Sequence, residues 1–280
     1  MKISGFTIAR NAVRFQYPIL ESIQSILPIC DELVVNVGGS DDETLPRIKS
    51  LNNPKIRIIE TNWDRSMGKE VLSAQTNIAL KECKGDWAFY LQSDEVIHEA
   101  DLNKLVKCMR RYLDDKNVDA LRFGWLHFYG SYFRYRIDRG WFQKQDRIIR
   151  NNGSVESEGD AWAFRRKDKQ PLRRKNTKCL LYYYGWVHST SVMTQRRVNA
   201  EQIGFTQLTN DERSGEYSYG DLNRFPAYFG SHPSVMKQKI AGHRFSQEDL
   251  KTINQKFWWH PAKISRLRYK TSRRVKEKIV

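Results

Sequence analysis

The stretch FYLQSDEVIHE, residues 89–99, ends an apolar run, Phe89-Tyr90-Leu91, on Gln92-Ser93 and then sets Asp94 beside Glu95. A carboxylate that closes a buried strand needs a partner, because an unpaired charge is costly in apolar surroundings. Neighbouring carboxylates in that position suit a hard cation. Mg2+ and Mn2+ take oxygen ligands, often only one or two from the protein, with water and substrate phosphates filling the rest of the shell. A metal held this way offsets the charge of a departing nucleotide diphosphate. The competing reading is that Asp94 or Glu95 caps the helix that follows.

A second acidic set lies in SVESEGDAW, where Glu156, Glu158 and Asp160 alternate. In an extended chain they share one face. Like charges so close need solvent, arginine or a substrate to offset them. One of them could take the proton of an attacking hydroxyl; the alternative is an exposed acidic turn. Tyr132, Tyr135, Trp141 and Trp186 have faces that could stack on sugars, and Arg134, Arg136, Arg139 and Lys144 could bind acidic groups. Such residues also fill cores and coat surfaces. His98, His127, His232, His243 and His260 show no metal-ligand spacing and are read as structural.

The elements that must position these residues alternate. Strands are predicted over 3–9, 33–37, 55–60, 87–91 and 118–128. Helices are predicted over 18–27, 41–51, 68–83, 101–113 and 191–203. Strands alternating with helices of this length imply βαβ units and a mostly parallel sheet with helices on its faces. Ligands of such sheets bind at the carboxyl ends of the strands. Ala9-Arg10-Asn11, Gly38 to Asp42 and Gln92 to Glu95 all fall at those ends, which makes them candidates for one site.

The 280 residues carry 48 Lys and Arg against 32 Asp and Glu, a formal net charge of +16, which favours anionic partners. The four cysteines form no CxxC pair and read as reduced thiols. No apolar run approaches the length of a membrane span, and the N-terminus lacks signal-peptide character. A cytoplasmic protein is therefore expected. The basic stretch 261–280, with eight Lys or Arg, suggests peripheral attachment to the anionic inner face of the membrane.

Three blocks in order, TIARN, VVNVGGSDDET and KGDWAFYLQSDE, resemble family 2 glycosyltransferases, whose strand ends carry Asn, Gly-Ser-x-Asp and Asp-x-Asp. RIIRNNGSVESEGDAWAFR and YYGWVH extend the similarity to about residue 205, toward a bacterial surface-glycan subgroup. The resemblance implies an α/β fold of the GT-A, Rossmann-like type. It implies a nucleotide-sugar and acceptor domain over 1–205 and a basic, partly helical extension over 206–280. The implied donor site comprises Ala9, Arg10, Asn11, Asn36, Gly38, Asp42, Gln75, Asn77, Gln92 and Ser93. Asp94, Glu95 and His188 would hold Mn2+ or Mg2+. Asp160, with Glu158 beside it, would be the base, and Tyr135, Trp141 and Trp186 would meet the acceptor. Two positions depart from the family pattern. Gln92 replaces the first acid of Asp-x-Asp, and Asn36-Val37 stands where an acidic residue often contacts the nucleobase.

The expected activity is inverting, metal-assisted transfer of a sugar from a nucleotide-diphosphate sugar to a glycan or glycolipid, in surface polysaccharide or lipopolysaccharide synthesis. A non-catalytic sugar-nucleotide-binding module is the alternative. A nucleic-acid-binding role fits the charge but has no signature motif, so no nucleic-acid partner is expected.

Overall fold

The computed structural model describes residues 1–138, 141 and 144–243. The basic stretch 261–280, Arg139 and His260 lie outside the described residues. Four strands form the parallel half of the sheet: β1 (Ile3–Ala9), β2 (Glu32–Gly38), β3 (Ile56–Thr61) and β4 (Trp87–Tyr90), in the order β3-β2-β1-β4. β1 is buried along its whole length, as a central strand covered on both faces must be. Helices α1 (Ile19–Ile26), α2 (Thr44–Lys49) and α3 (Glu70–Lys81) make the crossovers. α2 is shorter than the predicted 41–51. The Asp42 carboxylate accepts from the backbone N–H groups of Thr44 at 3.0 Å and Arg14 at 2.7 Å, which holds Asp42 in the preceding loop.

The sheet continues through five further strands, the predicted 118–128 among them. These are β5 (Glu95–Ile97), β6 (Ala120–Tyr129), β7 (Tyr135–Arg136), β8 (Lys144–Arg150) and β11 (Arg174–Trp186). The path runs β4-β8-β6-β11-β5, with β7 paired to the side of β6. β8 is antiparallel to both β4 and β6, and β11 runs parallel to β6. A separate hairpin pairs β9 (Val155–Glu158) with β10 (Ala163–Arg166). Helix α4 (Glu99–Arg111) follows β5, and α5 (Thr190–Gln202) follows β11. The result is an α/β fold on a mostly parallel sheet.

α1 and α4 cover one face of the sheet around Trp87, Phe89 and Leu121. α3 and the hairpin cover the other around Phe6, Tyr90 and Phe164. A third cluster joins Val96, Phe128, Tyr182 and Tyr184 to Met236, so residues from the 206–243 segment pack against the sheet.

The capping alternative for Asp94 and Glu95 does not describe this turn. His98 caps α4, its Nδ1 accepting from the Ala100 N–H at 3.2 Å. Glu95 instead opens β5 and is fully buried, with Arg147 of β8 equally buried beside it. Arg147 donates through Nε to Oε2 at 2.8 Å and through Nη2 to Oε1 at 2.9 Å. Oε2 also accepts from the Gln92 backbone N–H at 3.0 Å. A buried ion pair is tolerated only when hydrogen bonds satisfy it this fully. Removing one partner strands a charge, so Glu95→Ala or Arg147→Ala is expected to destabilise the chain by about 3–5 kcal/mol. The double replacement Glu95→Leu/Arg147→Met is expected to recover most of that loss. Urea titration of the four proteins checks this; equal stability of the single variants and the native chain would show the pair to be dispensable.

Candidate active site

The carboxyl ends of β1, β2 and β4 meet in a loop cluster stitched by side chains. After β1, Arg10 donates from Nε to the Gly39 carbonyl at 3.2 Å. The Asn11 N–H donates to Ser40 Oγ at 3.1 Å, and Asn11 Oδ1 accepts from the Asp41 N–H at 3.0 Å. Asn11 adopts φ 51°, a left-handed conformation that asparagine tolerates better than most residues. Ser93 ties β4 to this rim by donating from Oγ to the Ile8 carbonyl at 2.7 Å. Arg10, Asn11, Asp42 and Ser93 therefore converge where the sequence pattern places them, and buried Ala9 ends β1 beside them.

Asn36, Gln75 and Asn77 have other partners. Asn36 is fully buried, and its Nδ2 donates to Gln75 Oε1 at 2.9 Å. Thr61 Oγ1 lies 2.6 Å from Asn36 Oδ1 and 2.7 Å from Gln75 Oε1. These amides form a closed polar floor between β2, β3 and α3. Asn77 grips the hairpin, donating to the Ser157 carbonyl at 2.9 Å and accepting from the Ser157 N–H at 2.7 Å. Gly38 is covered by the Trp63 indole, whose Nε1 would stand 2.7 Å from a Cβ placed there.

The hairpin brings Asp160 to the strand ends across a long stretch of chain. Gln92 Nε2 donates to the Ala161 carbonyl at 3.3 Å, and Arg147 Nη1 donates to the Trp162 carbonyl at 3.0 Å. Asp160 lies in the turn, not on the strand face that Glu156 and Glu158 share. The left-handed residues Gly159 and Ala161 flank it, and the Trp162 N–H donates to its Oδ1 at 3.2 Å. Arg165 offsets the other two acids, 2.9 Å from Glu156 and 3.6 Å from Glu158. No basic side chain among the described residues stands within ion-pair distance of Asp160.

Residues 7–170, spanning these strand ends and the hairpin, match the sequence profile of glycosyl transferase family 2. The chain belongs to that family. Its sheet is the GT-A sheet. No curated protein sequence matches the chain. Among solved structures, S. aureus TarS 1–349 is 17% identical over 76% of this chain and 68% of that chain, with a TM-score of 0.42. The same protein in complex with UDP-GlcNAc is 16% identical over 76% and 69% of the two chains, with a TM-score of 0.44. Glucosyl-3-phosphoglycerate synthase from Mycobacterium tuberculosis, in complex with Mn2+, UDP and phosphoglyceric acid, is 21% identical over 44% of this chain and 43% of that chain, with a TM-score of 0.34. The chain covers 41% of the longer TarS structure.

Asp94, the carboxylate expected from the Asp-x-Asp pattern, is buried. Gly185 makes room: a Cβ there would come within 2.6 Å of Asp94 Oδ2 and would also strike the Tyr183 hydroxyl. Burial pushes the Asp94 carboxyl up to about 6, against the opposing pull of Arg196 and with Glu95 adding to the rise. Arg196, on α5, carries no obvious signal in the sequence. Its Nη2 stands 3.8 Å from Asp94 Oδ2, its guanidinium lies 4.5 Å from the centroid of the Tyr17 ring, and Nη1 donates to the Gly185 carbonyl.

His188 is buried, and its Nε2 has no hydrogen-bond partner among the described residues. Burial, with Arg196 nearby, holds its pKa well below the usual histidine value, so the ring is neutral. His127 is similarly placed. Both its ring nitrogens lack partners, its ring centroid lies 5.0 Å from that of Tyr183, and burial lowers its pKa to about 3.

The metal set expected from sequence is not assembled. Glu95 has both oxygens on Arg147, and Asp94 already faces a guanidinium. Among the described residues, no three His, Cys, Asp or Glu side chains are grouped to hold an ion. Asp94 and His188 remain, in surroundings that contain a fixed positive charge. These donors do not fit a resident divalent ion.

The aromatic residues expected at an acceptor site divide between two clusters. Trp141 and Trp186 meet with ring centroids 5.2 Å apart, and the Arg136 guanidinium lies 4.0 Å from the Trp141 ring centroid. Tyr135 packs elsewhere, 6.2 Å from Tyr228.

The raised Asp94 pKa sets a sign for pH dependence. The unfolded carboxyl ionises near its ordinary 3.8, the folded one near about 6. Stability from the neutral form is therefore present below 3.8 and lost as pH rises through about 6. Relative to Asp94→Asn, which does not titrate, the native chain is expected to lose stability across that window, by at most roughly 3 kcal/mol. Chemical denaturation of both proteins at pH 4 and pH 7 checks this; a difference independent of pH would show that Asp94 is not buried as described.

Proposed function

We propose that the protein transfers a sugar, with inversion, from a nucleotide-diphosphate sugar to a glycan or glycolipid acceptor of the bacterial surface, in polysaccharide or lipopolysaccharide synthesis. The observation that carries this reading is the convergence of four distant segments at one end of the GT-A sheet: Asn11, Ser40, the Gln92–Asp94 turn and the Asp160 turn. Membership of glycosyl transferase family 2 supports it.

In this reading the stitched loops after β1 and β2 receive the donor. Their geometry is set before the ligand arrives, which limits the ordering cost of binding. The acceptor hydroxyl attacks the anomeric carbon. The new C–O bond forms as the bond from that carbon to the diphosphate oxygen breaks, and the nucleoside diphosphate leaves with the electron pair. Asp160 takes the hydroxyl proton. Its position in a turn anchored to Gln92, with no arginine among the described residues to neutralise it, suits a base better than Glu158, which Arg165 offsets. Asp94 holds Arg196 rather than reacting.

The acceptor side is assigned to the flank bearing Trp141, Trp186 and Arg136, with exposed Trp162 next to the base. Aromatic faces and a guanidinium suit a sugar chain bearing acidic groups. The net charge of +16 fits such an acceptor and an anionic membrane surface. Among the described residues, no helix is long and apolar enough to cross a membrane.

A thermal-shift and donor-hydrolysis screen of sugar nucleotides tests the reading. One or more donors are expected to stabilise the chain and to be consumed slowly. Asp160→Asn is expected to lower turnover by about 10²–10⁴-fold with donor affinity unchanged. Full turnover in that variant would remove Asp160 from the role of base, and no response to any sugar nucleotide would overturn the assignment as a transferase.

A further inference from the structure

Two arginine–carboxylate pairs stand side by side in this site, and they differ in kind. Arg147 and Glu95 are closed on each other: two hydrogen bonds of 2.8 and 2.9 Å, both side chains fully buried. Arg196 and Asp94 are open. Their approach of 3.8 Å is an ion pair without a hydrogen bond, and their side chains keep 14% and 10% of their surface exposed. The first guanidinium is consumed by the fold. The second is held in place and retains donor capacity.

What holds it is specific. The Tyr17 ring supports one face at 4.5 Å, the Gly185 carbonyl takes Nη1, and Asp94 fixes the charge from the side. Tyr17 follows the β1 end, Asp94 follows the β4 end and Gly185 lies on β11, so the guanidinium sits where the strand ends open. Nearby, the buried His188 Nε2 lacks a partner among the described residues. A fixed cation beside an unanswered polar atom is a site arranged for an anion with several acceptor oxygens.

The geometry points to Arg196 as the ligand of the donor's diphosphate and as the positive charge that the family pattern would otherwise assign to a divalent ion. This inference rests on the sugar-nucleotide reading above. Arginine suits the task because its planar fork can grip two phosphate oxygens at once and stays charged throughout the working pH range. As the bond to the anomeric carbon breaks, charge grows on the diphosphate. A cation fixed beforehand stabilises that charge without having to reorganise. Donor binding should then need no divalent ion.

The test is calorimetric titration of the full chain with UDP, GDP, CDP and dTDP, and with the corresponding nucleosides, in EDTA and in Mn2+. The native chain is expected to bind one diphosphate with the same affinity in both buffers. Arg196→Gln is expected to weaken that diphosphate about ten- to hundred-fold and to leave nucleoside binding unchanged. Arg196→Lys, which keeps the charge and loses the fork, is expected to fall between them. If Arg196→Gln unfolds because Asp94 is left unpaired, the Arg196→Gln/Asp94→Asn double variant removes both charges and takes its place. Binding only in Mn2+ would overturn the inference while leaving the transferase reading intact. Metal-independent binding that survives Arg196→Gln would also overturn it, because the cation would then lie elsewhere. Binding of no nucleotide in either buffer would overturn both.

Discussion

The buried pair between Glu95 and Arg147 is the constraint on which the site depends. Glu95 begins the short strand β5, so the carboxylate fixes where the chain turns after β4. The Gln92 N–H donates to the same carboxylate, closing that turn from the other side. Arg147 also reaches the Trp162 carbonyl, and so locates the hairpin that carries Asp160. One guanidinium thus sets the relative positions of the β4–β5 turn, β8 and the hairpin tip. A hydrophobic pair of similar volume could fill the same space, but it would lack donors directed at both the Glu95 carboxylate and the Trp162 carbonyl.

Fixing the turn this way also determines what Asp94 can do. With Glu95 committed to Arg147, Asp94, the last residue of the turn before it, has a different set of neighbours. There Tyr183, Gly185 and Arg196 surround it. The absence of a Cβ at Gly185 lets β11 approach closely enough to bury the carboxylate, and burial explains why its proton is held more tightly than usual. The 206–243 segment contributes as well. The Tyr219 hydroxyl donates to the His188 carbonyl at 2.9 Å and accepts from the His188 N–H at 3.2 Å, which clamps the residue whose buried Nε2 has no partner among the described residues.

The parallel half of the fold was legible because its physics is simple. Trp87–Tyr90 is a continuous apolar run, Ile3–Ala9 carries only small polar residues between its apolar ones, and the helices between them have apolar residues at helical spacing. The strand ends followed from topology, so Asn11, Ser93 and Asp94 could be placed together from sequence. β8 and β11 were not legible as strands, because β8 and the first half of β11 are dominated by charged and polar residues. Arg150, in a stretch dense with Lys and Arg, is buried with its guanidinium on the carbonyls of Val118, Tyr112, Leu113 and Asp115. Propensity and periodicity do not register a charge that is satisfied by distant backbone. Arg196 escaped for a related reason. It lies on a helix of weak amphipathicity, and only the packing of α5 against Tyr17 and Gly185 marks it out. For Arg147 and Arg150 the available signal was DRIIR, where charges bracket the buried apolar pair Ile148-Ile149.

The departure at Gln92 follows from the same electrostatics. An acid at that position would place a third carboxylate beside Asp94 and Glu95, with two guanidinium groups to answer them. It would also face the Ala161 carbonyl, which requires a donor. Glutamine meets both conditions: it adds no charge, and its Nε2 supplies the hydrogen bond that brings the Asp160 turn to the strand end. The two acids and the two arginines of the site then balance. A diphosphate entering such a site must displace or share one of the carboxylate–guanidinium contacts. The closed Arg147 pair resists this because breaking it would leave Glu95 charged in the core. The open contact between Asp94 and Arg196 offers less resistance, since the two groups are not hydrogen-bonded and Asp94 can shed its charge by taking up a proton as the anion arrives. Neutral Gln92 and the raised pKa of Asp94 therefore favour the same arrangement: a site whose free positive charge resides on a side chain.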